Sequence, residues 1–258
     1  MIRFGFCTGP ENLLIAAAAG CDYLEFNFSQ IADMPEEDFQ ALQKTVESFP
    51  LRVEAMNGFI PARYRLTGPE ADHDTPLPFV EEGLKRAAAL GVKHVVFGSG
   101  GARRVPEGFS IEEANNQIAS FARLVAALAA EQGITVVIEP LRKAECNIIR
   151  SVDEALGIYR LAGEPEGLAV LADLFHMAEE REDFSSILRA GSVLRHCHIA
   201  NPAGRTAPLA GDSYDYLPFF HALHAISYSG GISIEASVPH PEEVLADSLR
   251  CLRDLDEV

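Results

Sequence analysis

Basic residues are scarce in this chain of 258: 21 Lys and Arg stand against 38 Asp and Glu, a formal net charge of −17. A surface of that sign repels phosphate backbones and anionic lipid headgroups, which excludes nucleic acid and membrane as first partners. Long apolar runs are missing as well, since none approaches the roughly 20 residues that cross a bilayer. The stretch LLIAAAA at 13–19 resembles a short signal-peptide core, but Glu11 lies just before it and the stretch reads as a first helix. Cysteine pairs are absent: Cys7, Cys21, Cys146, Cys197 and Cys251 are scattered, without the CxxC spacing of a zinc or redox site. That usage fits a reducing cytoplasm. Low-complexity tracts are lacking too, and 48% of the residues are hydrophobic, enough for a sizeable core.

What the chain does have is one recurring piece of local grammar. AAAAGCDYLEF, AALGVKHVVF, AAEQGITVVIE and HAISYSGGISIE each run from a helical end through Gly into a short apolar stretch. Gly accepts the left-handed backbone that stops a helix, and short β-branched runs suit buried parallel strands. Read outward from these αβ junctions, strands are predicted near 2–7, 23–28, 52–57, 94–98, 135–139, 168–173, 194–199 and 231–236. Helices are predicted near 11–19, 35–48, 76–90, 111–132, 151–162, 183–190, 214–228 and 241–255. Pro35 before Glu36 and Glu37, Ser110 with Glu113, and Ser151 with Glu154 are helix-start signals. Strict βα alternation implies an α/β fold with a parallel sheet, and a count of eight favours a single (β/α)8 TIM barrel spanning 1–258 over an open sheet or two small domains. No GxGxxG follows the first strand. GSGGAR at 98–103 lacks the Lys-Ser/Thr of a phosphate loop and reads as a flexible loop at the barrel mouth, while 61–78 reads as a long loop and a candidate lid.

Polar residues interrupt the apolar strands at one end. Glu139 closes TVVIE, Asp173 closes LAVLAD, His198 lies near the end of RHCHI and Glu235 closes ISIE, on the fifth to eighth strands. Any one of these acids alone could pair with a base or cap the next helix. Three carboxylates converging on one rim repel each other, and a divalent cation that also accepts an imidazole nitrogen resolves the conflict. Oxygen-rich ligation with open positions points to one divalent metal ion, Mn2+ first, with Mg2+ or Co2+ as alternatives. The open positions suit two neighbouring oxygens of a hydroxy-ketone, hence a small-molecule carbohydrate substrate.

With these residues in view, the chain resembles the xylose-isomerase-like superfamily of TIM barrels. The likeness is to its sugar phosphate isomerase/epimerase branch, which includes D-tagatose 3-epimerase and hydroxypyruvate isomerase. The matching text is IEPLRKAECN at 138–147, LADLFHM at 171–177, HCHIAN at 196–201 and GISIEAS at 231–237. The resemblance implies metal ligation by Glu139, Asp173, His198 and Glu235, and substrate contact by His176 and Glu145. It implies the same for Arg205, displaced by one residue from the family's position. Ala178 and the run Arg142, Lys143, Ala144 depart from the family's usual residues. The superfamily's nucleases add histidines at strand ends where this chain has MNGF and FGSG.

The expected chemistry is enediolate formation on a ketose, with Glu139 and Glu235 as proton carriers on different sides of the substrate. Epimerisation, aldose–ketose isomerisation and dehydration of a keto-cyclitol or dehydroshikimate type all share that intermediate and stay open. So does a metal-binding accessory barrel without turnover, and so does a homo-oligomeric state. Cys7, Glu25, Asn27, Glu54 and Asn57 are candidates for pocket lining, Glu25 first among them. His196 reads as a core or supporting histidine; His94, His221 and His224 read as structural; Asp72, His73 and Asp74 read as solvated or lid residues; Cys197 faces away from the pocket.

Overall fold

The computed structural model describes residues 1–258. Eight parallel strands follow one another around a closed ring, β1 (Arg3–Cys7), β2 (Tyr23–Asn27), β3 (Val53–Asn57), β4 (His94–Phe97), β5 (Thr135–Ile138), β6 (Leu168–Asp173), β7 (Leu194–Ile199) and β8 (Gly231–Ile234). β8 pairs back onto β1 from Arg3↔Gly231 to Phe6↔Ile234, so the sheet has no edge. The helices are α1 (Leu13–Ala19), α2 (Phe28–Ala32), α3 (Glu36–Ser48), α4 (Leu77–Leu90), α5 (Ile111–Glu131), α6 (Val152–Leu161), α7 (Leu174–Glu180), α8 (Ser185–Ala190), α9 (Leu217–Ala225) and α10 (Pro241–Asp256). Gly20 and Gly91, each at φ 90°, end α1 and α4 as left-handed caps, which is the backbone role the αβ junctions implied. No helix is long and apolar enough to cross a membrane.

The pleat divides each strand between two environments. Phe4, Phe6, Leu24, Phe26, Val95, Phe97, Val136 and Ile138 join a 70-residue cluster in which the strands pack on the helices. The opposite faces fill the barrel. There, Val96, Val137, Ala169 and Leu171 form a small separate apolar cluster. Beside it the interior turns polar, because Glu25, His196, His198 and Ser233 are all buried at 1% exposure or less.

Two short helices break the expected one-to-one alternation. α2 follows β2 directly, with the Asn27 side chain accepting from the Gln30 N–H, and α7 follows β6 with Asp173 accepting from the Phe175 N–H. Five and seven residues are too few for a periodic signal, so the strand-end caps are what start them. The long loop after β3, the lid candidate, is anchored at its middle. Phe59, Ile60, Leu66 and Thr67 are buried, Leu66 N–H donates to the Ala102 carbonyl at 2.9 Å, and Gly68 exchanges hydrogen bonds with the Gln117 side chain at 2.8 and 2.9 Å. His73 belongs to the same anchoring, 3.1 Å from the Leu66 carbonyl.

The 98–103 loop is likewise tied down by a buried side chain. Arg103 within it is fully buried, and its guanidinium donates to the carbonyls of Phe97 at 2.8 Å and Glu139 at 2.7 Å. It thereby clamps the ends of β4 and β5 together.

Candidate active site

Glu139 sits one residue past β5, Asp173 ends β6, His198 is the penultimate residue of β7, and Glu235 sits one residue past β8. Each lies in the inward phase of its strand, so the pleat alone aims four side chains at the mouth of the barrel. One ligand atom from each falls within 4.8 Å of all the others. His198 Nδ1 lies 3.0 Å from Glu139 Oε1 and 3.4 Å from Glu235 Oε2. Gly98 makes room for this arrangement, since a Cβ there would collide with Glu139 Oε2.

The cluster carries more negative charge than the chain's own cations relieve. Burial pushes the Glu139 carboxyl up, and the Glu235 carboxylate adds to the shift. Burial and Glu235 likewise raise Asp173 to about 6. At Glu235 burial acts in the same sense, but His198 and Arg205 outweigh it and hold the carboxyl down at about 2. Burial lowers His198, yet Glu25 and Glu235 together hold its imidazole well above the usual range.

Two buried polar atoms facing this space have no partner. Asp173 uses Oδ1 to accept from the Phe175 N–H at 2.7 Å, while Oδ2 accepts nothing. His176 Nδ1 accepts from the Arg142 N–H at 3.3 Å, which leaves Nε2 as the protonated nitrogen; it lies 3.5 Å from Asp173 Oδ2 and is otherwise orphaned. A buried carboxylate oxygen without a donor is costly, and a cation at the centre of the four side chains would satisfy it. The donor set, three carboxylates and an imidazole, therefore fits a divalent ion on the structure's own terms.

Arg205 arches over the cluster from the turn after β7. Asn201 N–H donates to the Thr206 carbonyl at 2.8 Å to close that turn, and Arg205 takes the left-handed backbone at φ 53°. Its Nη2 donates to Glu235 Oε2 at 2.6 Å, its Nη1 lies 3.4 Å from Glu145 Oε1, and its guanidinium lies 4.6 Å from the centre of the Phe175 ring. Glu145 thus reaches the cluster through Arg205, with Arg142 Nε holding the same oxygen at 2.8 Å. Asn57 donates to the other oxygen of Glu235 at 3.1 Å. Cys7, Thr8, Asn27, Gln30, Asn57 and Glu235 line an open, largely polar cavity of about 470 Å³ beside the cluster. All seven sequence-derived site residues therefore lie together at one end of the barrel.

Glu25 lines the cavity as expected, but most of its role lies deeper. Its carboxylate is fully buried and faces His196 and His198. An acid in the inward phase of YLEFN was the available signal. Arg103 was missed altogether, because a lone Arg in a Gly-rich loop gives no sign of burial.

An eight-stranded barrel with an acid–imidazole cluster at the C-terminal ends of its strands defines a class, and the chain belongs to the xylose isomerase-like TIM barrel family, whose sequence model matches residues 13–255. An L-ribulose 3-epimerase from Methylomonas sp. (strain DH-1) is 28% identical over 232 residues, covering 86% of this chain and 76% of the relative. A ketose 3-epimerase from Arthrobacter globiformis is 33% identical over 113 residues, 43% of this chain and 38% of the relative. Among solved structures, D-psicose 3-epimerase from Clostridium cellulolyticum H10, determined with D-tagatose, superposes with a TM-score of 0.86 over 100% of both chains at 18% identity, a likeness of fold.

Proposed function

We propose that this chain is a divalent-metal-dependent sugar epimerase or isomerase that acts on a ketose through an enediolate. The observation that carries the reading is the convergence of Glu139, Asp173, His198 and Glu235 within 4.8 Å around an unpartnered, buried Asp173 Oδ2. The sugar epimerases among its relatives support the substrate class. Those four side chains would hold the ion, Mn2+ by preference. When bound, the ion supplies Lewis acidity to an α-hydroxy ketone and so acidifies the adjoining C–H.

Glu139 and Glu235 carry the proton. They rise from β5 and β8, three strands apart in the ring, so they approach a substrate in the mouth from different sides. One carboxylate oxygen removes the proton from the carbon beside the carbonyl, and the other returns a proton to the opposite face, which inverts that centre. Asn57 and Arg205 each hold one oxygen of Glu235 and so fix the plane of its carboxylate. His176 offers its free Nε2–H to a substrate oxygen, and Arg205 with Glu145 closes the side of the site next to Phe175.

Incubation of the Mn2+-loaded protein with a panel of ketoses in D2O tests the reading. Deuterium is expected at the carbon next to the carbonyl of the true substrate, lost on chelation and regained with Mn2+. A metal-replete protein that labels none of the panel would sink it. Binding alone has its own signature. At Mn2+ about 100-fold above its dissociation constant, the native state gains about 2.7 kcal/mol. For a chain of this size that moves the unfolding midpoint up by roughly 5–10 °C. Differential scanning calorimetry with and without the ion reads this, and coincident midpoints would contradict an ion site.

A further inference from the structure

Glu25 is an acid with no Arg or Lys beside it, buried at 0% exposure in the interior of the barrel. An isolated carboxylate there is strongly disfavoured unless donors surround it. The donors are two imidazoles: His196 Nε2 lies 2.8 Å from Oε2, and His198 Nε2 lies 2.9 Å from Oε1. Because an ionised carboxylate only accepts, both histidines carry their proton on Nε2. Holding Nε2 as the donor turns His198 Nδ1 toward the rim cluster, 3.0 Å from Glu139 and 3.4 Å from Glu235, where a bound ion would take the place of a proton on that nitrogen.

We propose that Glu25 is a positioning residue of the ion site, fixing through its hydrogen bond which nitrogen of His198, and which ring orientation, faces the ion. This rests on the reading of Glu139, Asp173, His198 and Glu235 as that site. His196 completes the device from below. Its Nε2 also lies 3.3 Å from Ser233 Oγ, which in turn meets Tyr23 OH at 2.9 Å, so the second oxygen of Glu25 is held by a buried network tied to β2 and β8. The carboxylate therefore cannot rotate away from His198. Cys7 lies close enough to Glu25 and His198 to outline a further ligand set. Both oxygens of Glu25 are already satisfied, however, so its burial needs no ion there.

Glutamine at position 25 keeps one acceptor and turns the other oxygen into a donor. His196 can tolerate the swap by moving its proton to Nδ1, which is buried without a partner. His198 then keeps its acceptor, and the loss is small. Alanine removes both acceptors.

The test is Mn2+ affinity, read from the electron paramagnetic resonance signal of the free ion, for wild type, Glu25→Gln and Glu25→Ala. Unfolding midpoints of the metal-free proteins are measured alongside. Binding is expected to weaken about tenfold in Glu25→Gln and about a hundredfold in Glu25→Ala, the range over which partners of ligating histidines act. A merely structural role would lower the metal-free midpoints and leave the affinity of the folded protein unchanged. Wild-type binding with both variants within about twofold of it overturns the proposal. A wild type that binds no Mn2+ overturns the ion-site reading and this one with it. Should the variants fail to fold, nitrogen-15 histidine spectra of the Mg2+-loaded wild type decide the matter. A proton on Nε2 of His198 with a bare Nδ1 is expected, and a proton on Nδ1 overturns the assignment.

Discussion

On the proposed mechanism, Glu139→Gln and Glu235→Gln are each expected to lower epimer formation by about 10³-fold at saturating Mn2+, within the span usual for loss of a general acid or base. Glutamine keeps an oxygen toward the ion but cannot carry the proton, so the two roles separate once metal content is measured in each variant. The geometry adds a sharper expectation. Each variant retains one proton carrier and one accessible face of the substrate. Solvent deuterium therefore still enters one epimer in Glu139→Gln and the other epimer in Glu235→Gln, although neither variant interconverts them. The double variant loses both exchanges, and its deficit is not the product of the single ones. Retention of epimer formation within about tenfold in either metal-loaded single variant would remove that residue from the mechanism.

Arg103→Met is expected to destabilise the fold by about 3–5 kcal/mol, because two charge-assisted hydrogen bonds go, the Glu139 carbonyl loses its guanidinium donor, and the Phe97 carbonyl keeps only the Glu139 N–H at 3.3 Å. The unfolding midpoint is expected to fall by roughly 6–20 °C for a chain of this length. Arg103→Lys keeps the charge but not the fork that reaches two carbonyls at once, and it falls between wild type and Met. Denaturant titration reads both. A loss below about 1 kcal/mol would mean that the loop relaxes and finds other donors. In the folded fraction of Arg103→Met, weaker Mn2+ binding is expected as well, since the carbonyl that Arg103 holds belongs to Glu139 itself.

The barrel was legible because its signals are local. A helix end, a Gly and a β-branched run fit within a dozen residues, and their repetition supplied the strand order. The rim cluster was legible for the same reason, since an acid or imidazole at the end of an apolar strand stands out from its immediate neighbours. α2 and α7 were not, because each begins from a single side-chain cap on a strand-end residue and is too short to show a period. Glu25 was visible as an oddity in an apolar strand, but its partners lie 171 and 173 residues away in the chain, and only closure of the barrel brings them together. Arg103 and the anchored loop after β3 depend on packing between loops, where charge and glycine content point toward solvent and the fold points inward.

The order of strands around the ring has a consequence for how this protein can change. β5 to β8 carry the whole acid–imidazole cluster, while the polar cavity beside it draws Cys7, Asn27 and Asn57 from β1 to β3. In the proposed reading, the proton carriers lie on one arc of the circle, while substrate contact is shared between both. Side-chain hydrogen bonds tie the arcs together, Glu25 to His196 and His198, Tyr23 to Ser233, and Asn57 to Glu235. Those positions are the seams on which any grafting of one half-barrel onto another would turn.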